Sequence, residues 1–288
     1  YKALTANTTG VNNVAVGCEW SGLNGTLGSN TTGGSNVAMG SDALGANTTA
    51  SNNTAVGNLA LRSNTTGTEN TAVGSAALAV NTTANSSTAM GFSSLVANTT
   101  GAANTAFGHK ALFANTTAQY NVAVGQAALE TNTTGANNTA VGRAALISNT
   151  TASNNTAVGQ NALLANTTGN LNIAVGNESL ATNTVGDRNV AMGYQALTTY
   201  NPASNVDSYN TAMGHASLKS LTTGTKNTAI GGLAMETATT GVDNTALGYG
   251  ALYANTTASN NTGLGTSALA ANTTGASNVA VGQVALQA

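Results

Sequence analysis

Two histidines and one cysteine, His109, His215 and Cys18, are the residues most able to do metal or nucleophilic chemistry. A catalytic or metal-binding histidine needs close partners. These two each directly follow a glycine and lie far apart in sequence. They read as surface residues. The acids Glu19, Asp42, Glu69, Glu130, Glu178, Asp187, Asp207, Glu236 and Asp243 are scattered, and no two pair as acid and base. A lone cysteine gives neither a disulfide framework nor a thiolate metal cluster. Gly231-Gly232 is not part of a phosphate-binding loop, and the glycine- and aspartate-rich calcium repeat of toxin-type β-rolls is missing. The expectation is a protein that is not an enzyme, with no cofactor and no metal site.

Three other patterns hold surface chemistry. Asn-Thr-Thr occurs twelve times, at Asn7, Asn30, Asn47, Asn64, Asn81, Asn98, Asn115, Asn132, Asn149, Asn166, Asn255 and Asn272. Each triplet is an N-glycosylation acceptor by pattern. The competing reading, preferred here, is a turn that uses Asn and Thr for backbone reasons. Columns of Thr at strand spacing could order ice-like water, although Thr alternates with Val without pattern, which makes ice binding a distant alternative. Finally, two insertions carry unusual residues: Trp20 and Cys18 in the segment 18–33, and Tyr200, Pro202 and Tyr209 in the segment 198–209. Loops on a rigid scaffold often carry function, so Trp20, Tyr200 and Tyr209 are candidate contacts to a carbohydrate or protein. A tolerated insertion at a turn explains them equally well.

What would position these residues is a repeat. A glycine closes each Asn-Thr-Ala-Val-Gly-like block, from Gly17 to Gly282, in sixteen copies. Thirteen of the fifteen spacings are 17 residues, the exceptions being 23 after Gly17 and 21 after Gly193. The unit reads G-x-x-A-L-x-x-N-T-T-(G/A)-x-x-N-(T/V)-A-(V/M). The column after the second Asn holds Thr ten times, Val five times and Ile once. The next column is always Ala except at Gly263, and the third is always a larger apolar residue. Columns that admit one chemical class mark one environment repeated along a stack.

Composition agrees with a stack. Charged residues make up 6% of the chain, yet 41% is hydrophobic and the net charge is −2. Disordered chains combine low hydrophobicity with high net charge, so disorder is disfavoured. The seven basic residues are spread over the whole chain, which argues against nucleic acid as a partner. No apolar run approaches the roughly 20 residues of a membrane helix.

A 17-residue unit rich in Asn, Thr and Gly is too short and too poor in helix formers for a helical repeat. The expectation is an all-β fold, a parallel β-solenoid of about 16 coils spanning 1–288 as a single domain. Thr-Ala-Val-Gly and Ala-Leu read as extended pieces, and Asn-Thr-Thr-Gly and x-x-Asn as turns. Coils about 4.8 Å apart would give a rod of roughly 75–80 Å with like side chains stacked. In Thr54-Ala55-Val56 the side chains alternate. Val56 is expected to point into the coil or an interface and Ala55 outward. Restriction of an outward column to Ala then suggests close packing against another chain, hence a homo-oligomer, most simply a trimer. The chain also starts and stops in nearly the same register with no cap. The expectation is a fragment of a longer chain or subunits stacked end to end.

Asn36-Val37-Ala38-Met39-Gly40, Asn227-Thr228-Ala229-Ile230-Gly231 and Asn278-Val279-Ala280-Val281-Gly282 resemble the head repeats of trimeric autotransporter adhesins. The longer Asn-Thr-Ala-Val-Gly-x-x-Ala-Leu form is also similar to repeats in bacteriophage tail fibres. The resemblance implies a left-handed, trimeric, adhesive β-roll. The expected role is a structural subunit of an extracellular fibre or surface filament, with a cell-surface or carbohydrate receptor. The alternative is a tail-fibre shaft that supports receptor binding.

Overall fold

The computed structural model describes residues 3–17 and 24–286, in two compact units, 1–140 and 141–288. Among the described residues there is no helix, and every repeat contributes one three-residue strand. The first unit holds β1 (Val14–Val16), β2 (Val37–Met39), β3 (Thr54–Val56), β4 (Thr71–Val73), β5 (Thr88–Met90), β6 (Thr105–Phe107) and β7 (Val122–Val124). The boundary falls within β8 (Thr139–Val141). The second unit holds β9 (Thr156–Val158), β10 (Ile173–Val175), β11 (Val190–Met192), β12 (Thr211–Met213), β13 (Thr228–Ile230), β14 (Thr245–Leu247), β15 (Thr262–Leu264) and β16 (Val279–Val281). Consecutive strands pair in parallel and in strict repeat register: Thr54 opposite Thr71, Ala55 opposite Ala72, Val56 opposite Val73. The second unit repeats this, for example Thr211 opposite Thr228. The chain is a parallel β-solenoid, as its repeats require.

The strands are too short to hold the coils alone. Backbone hydrogen bonds also join coils at the other sides of each turn. Leu61 N–H donates to Ala77 O at 3.0 Å, and Thr65 N–H to Thr82 O at 3.0 Å. The Thr65 hydroxyl donates to that same carbonyl at 3.1 Å. Such stitching satisfies polar groups that a coil this narrow could not otherwise pair.

Ala-Leu, expected as an extended piece, is part of a turn instead. Leu61 has φ 51° and Leu59 φ 61°, and Asn52 before the second Asn column has φ 61°. Three left-handed residues per coil bend the chain sharply enough to close it in 17 residues. For leucine that conformation costs about 1–2 kcal/mol. Complete burial of its side chain contributes about 1.5–3 kcal/mol, so the turn is stable only because its leucine fills the core. Leu44, Leu61, Leu78, Leu95, Leu112 and Leu129 are all fully buried in the first unit. The glycine after each strand serves a different need. Gly74 has φ +132°, and a Cβ there would stand 2.5 Å from the carbonyl oxygen of Gly91 in the next coil.

The two strand faces are the reverse of the sequence expectation. Ala38, Ala55, Ala72 and Ala89 are fully buried, whereas Thr54 and Val56 are half-buried on the outer face. Ala is required because leucines and asparagines already fill the narrow interior. Its restriction therefore says nothing about a second chain. The insertions also resolve further. Thr26 bridges Ala3, and the fully buried Leu27 (φ 50°) takes the place of the repeat leucine. Residues 26–33 are thus an ordinary coil, and the extra residues lie before Thr26. In the segment 198–209, Asp207 bridges Asp187 and Tyr200 stands at the first Asn column.

Candidate interaction surface

The interior of each unit is lined by two asparagine columns, and both are engaged. Asn64 Nδ2 donates to Asn47 Oδ1 at 3.1 Å and to Gly67 O at 2.8 Å. Its own Oδ1 accepts Asn81 Nδ2 at 2.8 Å. In the second column, Asn53 N–H donates to Asn36 Oδ1 at 3.0 Å, and Asn53 Nδ2 to Gly67 O at 2.9 Å. At ten of the twelve Asn-Thr-Thr asparagines burial leaves no room for a sugar on the folded coil. Asn30, Asn47, Asn64, Asn81, Asn98, Asn115, Asn132, Asn149, Asn166 and Asn255 are fully buried. Asn7 and Asn272, half-buried, still donate Nδ2 to Gly10 O and Gly275 O. An amide nitrogen aimed into the coil leaves no room for a sugar. The motif is a core ladder.

The insertion residues divide. Trp20 and Cys18 lie outside the described residues. Tyr200 is not a surface contact. It is fully buried, its hydroxyl donates to Ser208 Oγ at 2.6 Å, and burial raises its phenol pKa above the ordinary value despite that bond. Pro202 beside it is also buried. Tyr209 is 51% exposed, with the Arg188 guanidinium 5.7 Å from its ring centroid. Arg188 also pairs with Asp207. That set ties the longer coil to its neighbour.

What the fold presents to solvent is the outer strand face. Its third column is apolar in every coil: Val16, Met39, Val56, Val73, Met90, Phe107 and Val124 in the first unit. In the second unit it holds Val141, Val158, Val175, Met192, Met213, Ile230, Leu247, Leu264 and Val281. Phe107 is 52% exposed, Met39 42% and Leu247 43%. The companion column on that face carries Thr, Val or Ile in register. A contiguous apolar surface of this kind marks an interaction site far more often than it is left bare.

A second surface runs along the turn after the glycine. Both histidines lie there, each stacked on an aromatic ring of the preceding coil. Phe92 and His109 have centroids 5.6 Å apart at 12°, and Tyr194 and His215 5.5 Å apart at 23°. The sequence placed each histidine beside a repeat glycine. It did not connect them with Phe92, Tyr194 and Tyr249, which occupy the same column. Writing the repeats one under another would have shown it. Lys110 lies 5.4 Å from the Phe113 ring centroid and 3.7 Å from Glu130. Among the described residues, no group of three or more His, Cys, Asp or Glu side chains is placed to hold a metal ion, and no helix is long and apolar enough to cross a membrane.

One buried carboxyl is unusual. Asp42 is 2% exposed, and its Oδ1 and the neighbouring Ser41 Oγ have no hydrogen-bond partner. Burial raises its pKa above the ordinary carboxylate value. Arg62 and the N–H groups of Gly25 and Asn24 oppose that shift.

Fold and surface together define a tandem-repeat β-solenoid with an in-register apolar outer face and an aromatic turn edge. Compared with known proteins, the chain matches no protein-family model and no curated sequence.

Proposed function

We propose that the protein is a non-catalytic structural subunit of an extracellular fibre or surface filament, which assembles laterally with copies of itself and serves adhesion. The observation that carries this reading is the apolar column of the outer strand face, repeated in every coil. Such a column in a chain with 6% charged residues has few charges to keep it solvated. Covering it with the same column of a second or third copy removes it from water at about 25 cal/mol per Å². Interfaces between copies are built from such self-complementary patches. The earlier expectation of a homo-oligomer is retained on this new ground, with the strand face replacing the alanine column as the contact.

The test is mass in solution by light scattering, beside negative-stain electron microscopy. The expected result is a discrete multiple of the single-chain mass, or filaments. Val56→Lys with Val73→Lys should return the chain to single-chain mass without unfolding it, since both side chains lie on the outer face. A wild-type chain that remains single at all accessible concentrations sinks this reading.

A second reading rests on the same face. Thr54, Thr71, Thr88 and Thr105 in the first unit, and Thr211, Thr228, Thr245 and Thr262 in the second, stand in successive coils beside the apolar column at the spacing of about 4.8 Å set by strand pairing, short rows that could order water on ice. A single chain with thermal hysteresis would select it.

A further inference from the structure

We infer that the turn edge after the repeat glycine in the second unit is a carbohydrate-binding ledge for neutral oligosaccharides, formed by Tyr194, His215, Tyr249 and Tyr253 with Glu236. This deepens the adhesive part of the function proposed above and depends on that part, though not on the oligomeric state.

The repeat itself does not call for aromatic residues here. The column after the glycine holds Ser41, Asn58, Ser75, Gln126, Gln160 and Thr266 in other coils, so a small polar residue suffices for the fold. Yet this column and the column after the repeat leucine carry Phe92, Phe113, Tyr194, Tyr249 and Tyr253, and both histidines of the chain. The chain has only eleven aromatic residues (one Trp, seven Tyr, three Phe), so five of them in two columns of a 17-residue repeat marks the edge as different in kind. Nor do these rings fill the core. Tyr194 is 48% exposed, Tyr249 59%, Tyr253 39% and His215 is exposed.

Local geometry makes them one surface. His215 stacks on Tyr194. The coil after His215 has Gly232 at this position, and the ring of Tyr249 from the next coil leans over it. A Cβ on Gly232 would meet Tyr249 Cδ2 at 3.5 Å and Cε2 at 3.7 Å. The Tyr249 ring thus covers the Gly232 position, on the coil between those of His215 and Tyr249. The negative charge of Glu236 stands near enough to the Tyr253 phenol to raise its pKa, with a smaller contribution from Tyr249. Gln195, next to Tyr194 in the same coil, donates Nε2 to Glu178 Oε2 of the preceding coil at 2.8 Å.

This is the chemistry a pyranose needs. Its C–H faces carry partial positive charge and settle on the negative face of an aromatic ring. Its hydroxyls need donors and acceptors at the rim, which Glu236, Gln195, His215 and the phenols provide. A charged polymer is disfavoured, because the ledge carries no basic cluster and the whole chain has a net charge of only −2. The edge in the first unit, with Phe92, His109, Phe113 and Lys110, lacks the phenol hydroxyls and serves as an internal control.

The experiment titrates the full chain with three neutral probes: tetrasaccharides of β-linked glucose, β-linked N-acetylglucosamine and α-linked mannose. Saturation-transfer NMR and tyrosine fluorescence are the readouts. At least one probe should bind, and Tyr194→Ala with Tyr249→Ala should weaken it by about tenfold or more. Tyr194→Phe should retain most of the affinity, and Phe92→Ala should change nothing. Circular dichroism of each variant confirms that the fold is intact. Binding of none of the three, or binding unaltered by the double variant, overturns the inference. Light scattering on the same samples reports assembly separately, so a wild-type chain that assembles but binds none of the three probes refutes the ledge alone.

Discussion

The two units solve the same interior differently. In the first, the Asn-Thr-Thr column runs without a break from Asn30 to Asn132, each amide bonded to the one before it. In the second, it runs from Asn149 to Asn183 and then gives way to Tyr200, Leu221 and Ala238, all fully buried, before resuming at Asn255. At the junction, Asn183 Oδ1 accepts the Gly186 N–H at 3.0 Å. The Tyr200 ring lies against Gly186, where a Cβ would approach Cε1 to 2.9 Å. An asparagine ladder is therefore one way to fill this coil rather than a condition of the fold. Each run is contiguous, and an amide stranded inside the apolar one, without its neighbours, costs more than a matched apolar residue.

Reciprocal exchanges break this comparison most severely. Asn64→Leu strands Asn47 Oδ1 and removes one of the two bonds made by Asn81 Nδ2 and by the Gly67 carbonyl, and is expected to cost about 2–3 kcal/mol. Leu221→Asn buries an amide between Tyr200 and Ala238 and should cost a similar amount, about 3 kcal/mol. Urea unfolding of both checks this, and a near-neutral result for either would mean that neighbours do not set the preference. The glycine column, in contrast, is common to both units. Gly74→Ala and Gly231→Ala should each destabilise by about 2–3 kcal/mol, equally in the two units, because each added Cβ meets the next coil's carbonyl at 2.5 Å and 2.4 Å. Thermal midpoints that differ widely between the pair would deny that the columns are equivalent.

Smaller effects sharpen the picture. Tyr200→Phe keeps the ring and removes its bond to Ser208, and should cost about 1 kcal/mol by denaturant titration. Asp42→Asn acts in the opposite direction. A carboxyl whose folded pKa is raised contributes stability that is full below its unfolded pKa, near 3.8, and lost as pH rises through the higher folded value. The ionised form is therefore a burden at pH 7. Asp42→Asn should raise the thermal midpoint slightly at pH 7, leave it nearly unchanged at pH 3, and flatten the acid limb of the stability profile between them.

Much of this architecture was readable without coordinates, for reasons that particular residues make plain. The glycine at every seventeenth position set the register of Thr54 on Thr71 and of Asn47 on Asn64, since equal spacing leaves a stack no other alignment. The aromatic turn edge was half readable: His109 and His215 were visible beside their glycines, but their partners Phe92 and Tyr194 emerge only when coils are superposed. Tyr200 misled, because an aromatic residue in an irregular stretch looks like an exposed contact. Its placement depends on a gap in the asparagine ladder and on the missing Cβ at Gly186.

Period, parallel pairing and strand positions were thus determined by the sequence alone, because repetition is a property of the chain. Which side of Thr-Ala-Val faces inward, that leucine adopts a left-handed turn, and that the Asn-Thr-Thr amides are core rather than surface were decided by the closed coil. Alternation in a three-residue strand defines two faces without saying which is inside. Only the volume left within a 17-residue turn, already taken by leucine and asparagine, admits alanine there and sends valine out.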